Sequence, residues 1–141
     1  MKKENRKNVV AVVAVILLII APIVFLNSKT LELIKAKAVK EPKPTWGESW
    51  HYRICWTYRY TMRPESAEAS FEEFIKSFPK SPNIPEAIYF QAMTLSEIGT
   101  YETKDKAKLL LGEALEEGGC LAEGPYHEQA KRLKQRIEIG Y

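Results

Sequence analysis

Three patterns of apolar positions follow one another along the 141-residue chain. The first is unbroken: residues 9–26 read VVAVVAVILLIIAPIVFL, with no charged or hydrogen-bonding side chain. At about 1.5 Å per residue this run is roughly 27 Å long as a helix, close to the thickness of a bilayer core. It predicts a transmembrane anchor, kinked but not prevented by Pro22, because its Val, Ile, Leu and Phe residues together favour insertion by several kcal/mol. A cleaved signal peptide would explain Lys2, Lys3, Arg6 and Lys7 ahead of the run. It fits less well, since the run exceeds the usual length of about 7–15 residues and Pro22 spoils the small-residue site near its end.

The second pattern, residues 27–45, is rich in helix formers from Leu31 to Ala38 and predicts that the membrane helix runs on into water. Pro42 and Pro44 then stop it in a stiff linker.

From residue 46 onward the period is helical. A small residue followed three places on by an apolar one recurs as Cys55/Tyr58, Ala92/Leu95 and Ala130/Leu133, at nearly equal intervals of sequence. Between these lie Ala67, Phe71 and Phe74, then Ala107, Leu111 and Ala114, with the same spacing of four then three along one helical face. Pro64, Pro85, Gly99, Gly118-Gly119 and Gly124-Pro125 punctuate the pattern. Together they predict helices over 47–62, 64–77, 84–98, 103–117 and 125–139.

These residues resemble the tetratricopeptide repeats. The pattern W-x2-L-G-x2-Y…A-x3-F…P is met by His51, Ile54, Cys55, Tyr58, Ala67, Phe71 and Pro79, with only the leading aromatic and the glycine replaced. Ile88, Gln91, Ala92, Leu95, Ala107 and Leu111 fill the slots of a second unit, which has about three extra residues around Thr103 to Asp105. Tyr126, Gln129, Ala130 and Leu133 supply one further helix, as a solvating cap would. The stretch ASFEEFIKSFPKSPNIPEAIYFQAMTLSEIGTY is similar to the repeats of bacterial envelope proteins, such as outer-membrane assembly lipoproteins and the periplasmic coordinator of the Tol-Pal system.

The apolar run and the resemblance together imply an all-α fold: an N-terminal transmembrane helix, from residues 9–26, followed by a short α-solenoid of about five helices. The expected organisation is a basic tail (1–8), the anchor (9–26), a helical extension and linker (27–45) and a repeat domain (46–141). That domain divides into repeat 1 (46–81), repeat 2 (82–119) and a cap helix (120–141).

Charge sharpens this picture. Of 21 Lys and Arg and 18 Asp and Glu, residues 1–44 hold 9 basic against 3 acidic, so a basic N-terminal third precedes a mildly acidic remainder. The remainder lacks the clustered positive face that nucleic-acid binding requires. The basic tail places the N-terminus in the cytoplasm and the repeat domain outside, in the periplasm. Lys29, Lys35, Lys37, Lys40 and Lys43 on the other flank keep a cytoplasmic repeat domain as the alternative.

Candidate chemistry is sparse. Two histidines, two cysteines and no nucleotide, metal or nucleophile motif lead to the expectation of no enzyme, no catalytic residue, no metal and no cofactor. Cys55 and Cys120 are expected as free thiols, the first in a packing slot and the second in a loop. Relative to the packing slots, the face of the first helices turned to the concave side carries Tyr52, Trp56, Arg59 and Tyr60, then Tyr89, Met93 and Glu97, then His127, Lys131 and Lys134. Aromatic, Met and Arg side chains are enriched at binding hot spots, so these ten are the candidate partner-binding residues. The plainer alternative is that HYRICWTYRY is aromatic because a short solenoid needs large residues to make a core.

The function expected from repeat plus anchor is a non-catalytic, membrane-anchored adaptor or scaffold of the bacterial cell envelope. It would hold an extended peptide or helix of another envelope or membrane protein in its concave groove, touch the lipid bilayer through residues 9–26, and leave room for self-association. The alternative is a small single-pass accessory subunit of a larger membrane complex.

Overall fold

A computed structural model describes residues 27–40 and 44–140. Six α-helices follow one another: α1 Ser28–Lys40, α2 Pro44–Tyr60, α3 Pro64–Ser77, α4 Ile84–Ile98, α5 Tyr101–Leu115 and α6 His127–Ile139. Each packs on the helix before and after it, and α4 also touches α6. Short connections and neighbour-on-neighbour packing give a layered, solenoid-like stack in which alternate helices run the same way.

Local chemistry sets the helix ends. Asn27 caps α1, its side-chain oxygen accepting the Lys29 N–H at 3.0 Å while its carbonyl accepts the Leu31 N–H at 3.1 Å. The helix therefore has its own beginning. Pro64 and Pro85 sit in the first turns of α3 and α4, where a missing N–H costs nothing. Thr100 caps α5 through the Thr103 N–H at 3.2 Å. Gly99 and Gly140 end α4 and α6 at φ 79° and 90°, a left-handed geometry that a side chain disfavours.

The core alternates small and large side chains. Cys55, Ala67, Ala87, Ala92, Ala107 and Ala130 are fully buried and let backbones approach; Tyr58, Phe71, Phe74, Leu95 and Leu111 fill the space beside them. Each fully buried large side chain contributes on the order of 1.5–3 kcal/mol. Ion pairs then join helices two apart in the stack: Lys35–Glu73 at 2.8 Å (α1 to α3), Arg59–Glu97 at 2.8 Å (α2 to α4), and Lys106 with both Glu68 and Glu72 at 2.8 Å (α3 to α5). Lys35–Glu73, Arg59–Glu97 and Glu68–Lys106 share one separation in sequence, and it matches the interval of the apolar repeat.

Two expectations are corrected. Among the described residues no helix is long and apolar enough to cross a membrane. The described residues form six packed helices where a membrane helix followed by five was expected, and residues 9–26, on which the span was expected, lie outside the described residues. The anchored envelope adaptor, the single-pass subunit, the bilayer as partner and the placement across a membrane all required that helix and lose their structural basis. Secondly, residues 28–40 do not extend an upstream helix: beyond the Asn27 cap, Leu31, Lys35 and Ala38 are buried against α2 and α3. The packed helices thus include α1, upstream of the expected start of the repeat domain at 46.

Candidate functional site

Helices α2 and α4 lie side by side in the same direction, and their shared face is aromatic. Trp56 meets Phe90 edge to face at 4.4 Å, Tyr60 stacks on Trp56 at 5.4 Å, and Phe90 reaches Tyr126 at 6.0 Å, a continuous strip from α2 across α4 to the start of α6. Such ring pairs prefer these tilted and offset geometries.

Toward the C-terminal ends of α2 and α4 the strip gives way to a fixed ion pair. The Arg59 guanidinium donates to both Glu97 carboxylate oxygens, at 3.0 and 2.8 Å, and to Thr94 Oγ1 at 2.7 Å, and it stands 5.5 Å above the Phe90 ring. Thr94 in turn donates to the Phe90 carbonyl at 2.7 Å. A bidentate pair of this kind holds the two helices in one register. Beside it opens a groove of about 620 Å³ lined by Arg59, Tyr60, Met62, Pro64, Thr94 and Glu97. Tyr60 is 77 % and Met62 88 % exposed, so two large apolar side chains stand at its rim in water.

Met62 holds that rim in an unusual conformation. Its φ is 57°, and the Met62 and Arg63 N–H groups return to the Arg59 and Tyr58 carbonyls at 3.3 and 3.1 Å, a closure that helices normally make with glycine.

The structure brings together four of the ten residues expected here: Trp56, Arg59, Tyr60 and Glu97. Tyr52 lies behind them, 5.2 Å from Phe74, with a buried hydroxyl that burial pushes to a higher pKa. Tyr89 stacks on Tyr126 at 5.4 Å, and Met93 packs into the apolar cluster of α4, α5 and α6. His127 Nδ1 is 2.7 Å from the Leu121 carbonyl, and Lys131 stands 3.8 Å from Glu128. Lys134 lines a different groove, against α5. Tyr52 and Trp56 are half-buried and make ring contacts with Phe74, and with Phe71 and Phe90, on neighbouring helices. Met62, Pro64 and Thr94 were missed; the offset of Arg59 from Glu97, one full repeat, would have pointed to this end of the face.

A second polar cluster lies at the opposite side of α2. Lys35, 6 % exposed, reaches Glu32, Glu73 and Ser70, and the Tyr58 hydroxyl donates to Glu32 at 2.9 Å. Burial would lower the Lys35 pKa, but the bonds to Glu73 and Glu32 outweigh it and raise it. Beside them His51 is fully buried, ringed by Phe74 and Phe78 at 5.8 and 5.9 Å, and among the described residues neither ring nitrogen has a hydrogen-bond partner. Burial holds its pKa down at about 4. Burial also raises the Cys55 and Cys120 thiols, which leaves them poor nucleophiles. Among the described residues no group of His, Cys, Asp and Glu is arranged to hold a metal ion.

No family model, no curated protein and no solved structure matches the chain. The likeness to tetratricopeptide repeats and to envelope proteins is corrected accordingly: paired-helix packing is a property of this chain, and membership of that family is not supported. The pattern residues are small and apolar packing residues, which any stack of helical hairpins requires.

Proposed function

We propose that this chain is a non-catalytic protein-binding module that receives a segment of a partner in the groove at the C-terminal ends of α2 and α4. The observation that carries the reading is the pair Tyr60 and Met62, large and apolar yet exposed, on a rim held rigid by the Arg59–Glu97 pair. Aromatic and Met side chains bury much area with few torsions to freeze, so a preformed rim of this kind favours binding. Among the described residues no nucleophile, paired carboxylate or free histidine lines the groove, which favours binding over chemistry.

The test replaces Met62 in the full chain with a photoreactive amino acid and irradiates it in the native host, with Lys80 on the α3–α4 turn as the control position. A discrete adduct from position 62, absent from position 80 and lost in Tyr60→Ala, is expected. Equal labelling from both positions overturns the assignment. Tyr60 suits this test because its ring is exposed, whereas Tyr52→Ala or Trp56→Ala would also remove core contacts.

A further inference from the structure

The two ends of the helix stack carry complementary features. At the first end α1 occupies the place of a second helix of a hairpin: its Lys35 reaches Glu73 one repeat further along the chain, as Glu68 reaches Lys106. One side of α1 packs inward. The other is exposed among the described residues, with Leu33 72 % exposed and a groove of about 610 Å³ lined by Ser28, Lys29, Glu32, Leu33 and Ala36. Exposed Lys29, Lys37 and Lys40 border this apolar strip, while Glu32, the acid beside them, is engaged by Lys35 and Tyr58.

At the other end a groove of about 470 Å³ runs between α5 and α6. Leu109, 64 % exposed, lies in it beside Gly112, and Asp105, Glu113, Glu116 and Glu138 outnumber Lys108 and Lys134. Among the described residues none of these four carboxylates has an ion-pair partner. One end is thus apolar with a basic border, the other apolar with an acidic border. Because they lie at opposite ends of the stack, one copy cannot bring them together.

We propose that the open face of α1 packs into the α5–α6 groove of a second copy, so that molecules join head to tail. Leu33 meets Leu109, and the lysines of α1 meet the acidic border. Two α1 faces would instead oppose like charges, which disfavours a symmetric dimer. A head-to-tail contact is heterologous, so it repeats into rings or filaments rather than closing at two.

The test uses full chains carrying Cys120→Ser, one set with Leu33→Cys and a differently tagged set with Leu109→Cys, joined by a short bismaleimide. Mixed chains should cross-link at least about tenfold more than Leu33→Cys mixed with Lys80→Cys. A chain with both Leu33→Cys and Leu109→Cys should give a ladder. Adding Lys37→Glu and Lys40→Glu to the first set should abolish the product, and Glu113→Lys with Glu116→Lys in the second should restore it. Cross-linking of Leu33→Cys to itself, or no product above the control, overturns the proposal. Apart from Cys120→Ser, which every chain including the control carries, all these positions are exposed, so a loss of product is not a loss of fold.

Discussion

The first and last helices of the stack are docked by different means. α6 is held by an apolar stripe, Ala130, Leu133 and Ile137, and apart from Ile139 its exposed residues are polar. α1 buries Leu31 and Ala38, but it also buries Lys35 with its three polar partners and leaves Leu33 and Val39 outside. Apolar docking is insensitive to charge state, whereas docking through a buried ionic cluster depends on who carries a proton. The difference predicts that the two ends fail under different conditions.

The largest effect is expected at the apolar end. Leu133→Ala removes a buried side chain between α6 and its neighbours and should cost about 2–5 kcal/mol. Its denaturation midpoint should fall, with the loss of amide protection concentrated in α6, and the size of the loss should be the same at pH 7.5 and pH 5. A pH-dependent cost would break the contrast.

At the other end the informative position is Gly47. In a helix interior Gly→Ala normally stabilises by about 0.5–1 kcal/mol. Here an added methyl would collide with the Ala38 carbonyl, because α1 and α2 approach backbone to backbone at this point. Gly47→Ala should therefore destabilise by about 1–3 kcal/mol, with amide exchange accelerated in α1 and unchanged in α6. A gain in stability would show that α1 is not seated on α2 as described.

Acid should loosen the α1 end through His51. Its environment is set by Lys35 and Glu32 from α1, Glu73 and Ser70 from α3, and the Phe74 and Phe78 rings. The folded pKa of about 4 lies below the ordinary 6.5, so the unfolded chain binds the proton more readily. Stability is then complete above about pH 6.5 and is lost as pH falls toward 4, on the order of 1–2 kcal/mol by pH 5. His51→Leu should remove that slope, measured as the difference in denaturant stability between pH 7.5 and pH 5. Glu72, held down at about 2 by Lys106 and Lys76, adds a separate loss that begins only below about pH 4.5. A slope between pH 6.5 and 5 that survives in His51→Leu would assign the effect elsewhere.

Much of the helix stack was legible because period and punctuation act locally. Cys55, Ala67, Phe71, Ala92, Leu111 and Ala130 stand at the spacing that buries them, and Pro64, Pro85 and Gly99 mark ends that backbone chemistry requires. The role of α1 was not legible. Its Lys35 reads as a solvated charge until Glu73, far away in sequence, is folded against it, and the apolar run before Asn27 suggests one continuous helix until the Asn27 cap is seen. The candidate site was half legible for a related reason. Helical register puts Tyr52, Trp56, Arg59 and Tyr60 near one face, but which of them turns inward depends on Phe74 and Phe90 from other helices.

The smallest predicted effect concerns how helices end on the two sides of the groove. α4 stops at Gly99, which takes its positive φ without a side-chain penalty, while α2 stops at Met62, which adopts φ 57° with a side chain attached. Replacing the methionine by glycine should relieve that cost, so Met62→Gly is expected to raise stability by about 0.5–1 kcal/mol in a thermal or denaturant melt. Most surface substitutions of an exposed side chain change stability less than this and in no fixed direction. The same variant removes an apolar group from the groove rim, and capture of a partner by a photoreactive residue placed at Tyr60 should weaken. A chain that becomes more stable and binds less well would mean that the methionine is kept for contact at the expense of the turn. If stability does not rise, the Met62 backbone carries no strain, and the exposed side chain alone has to justify the groove.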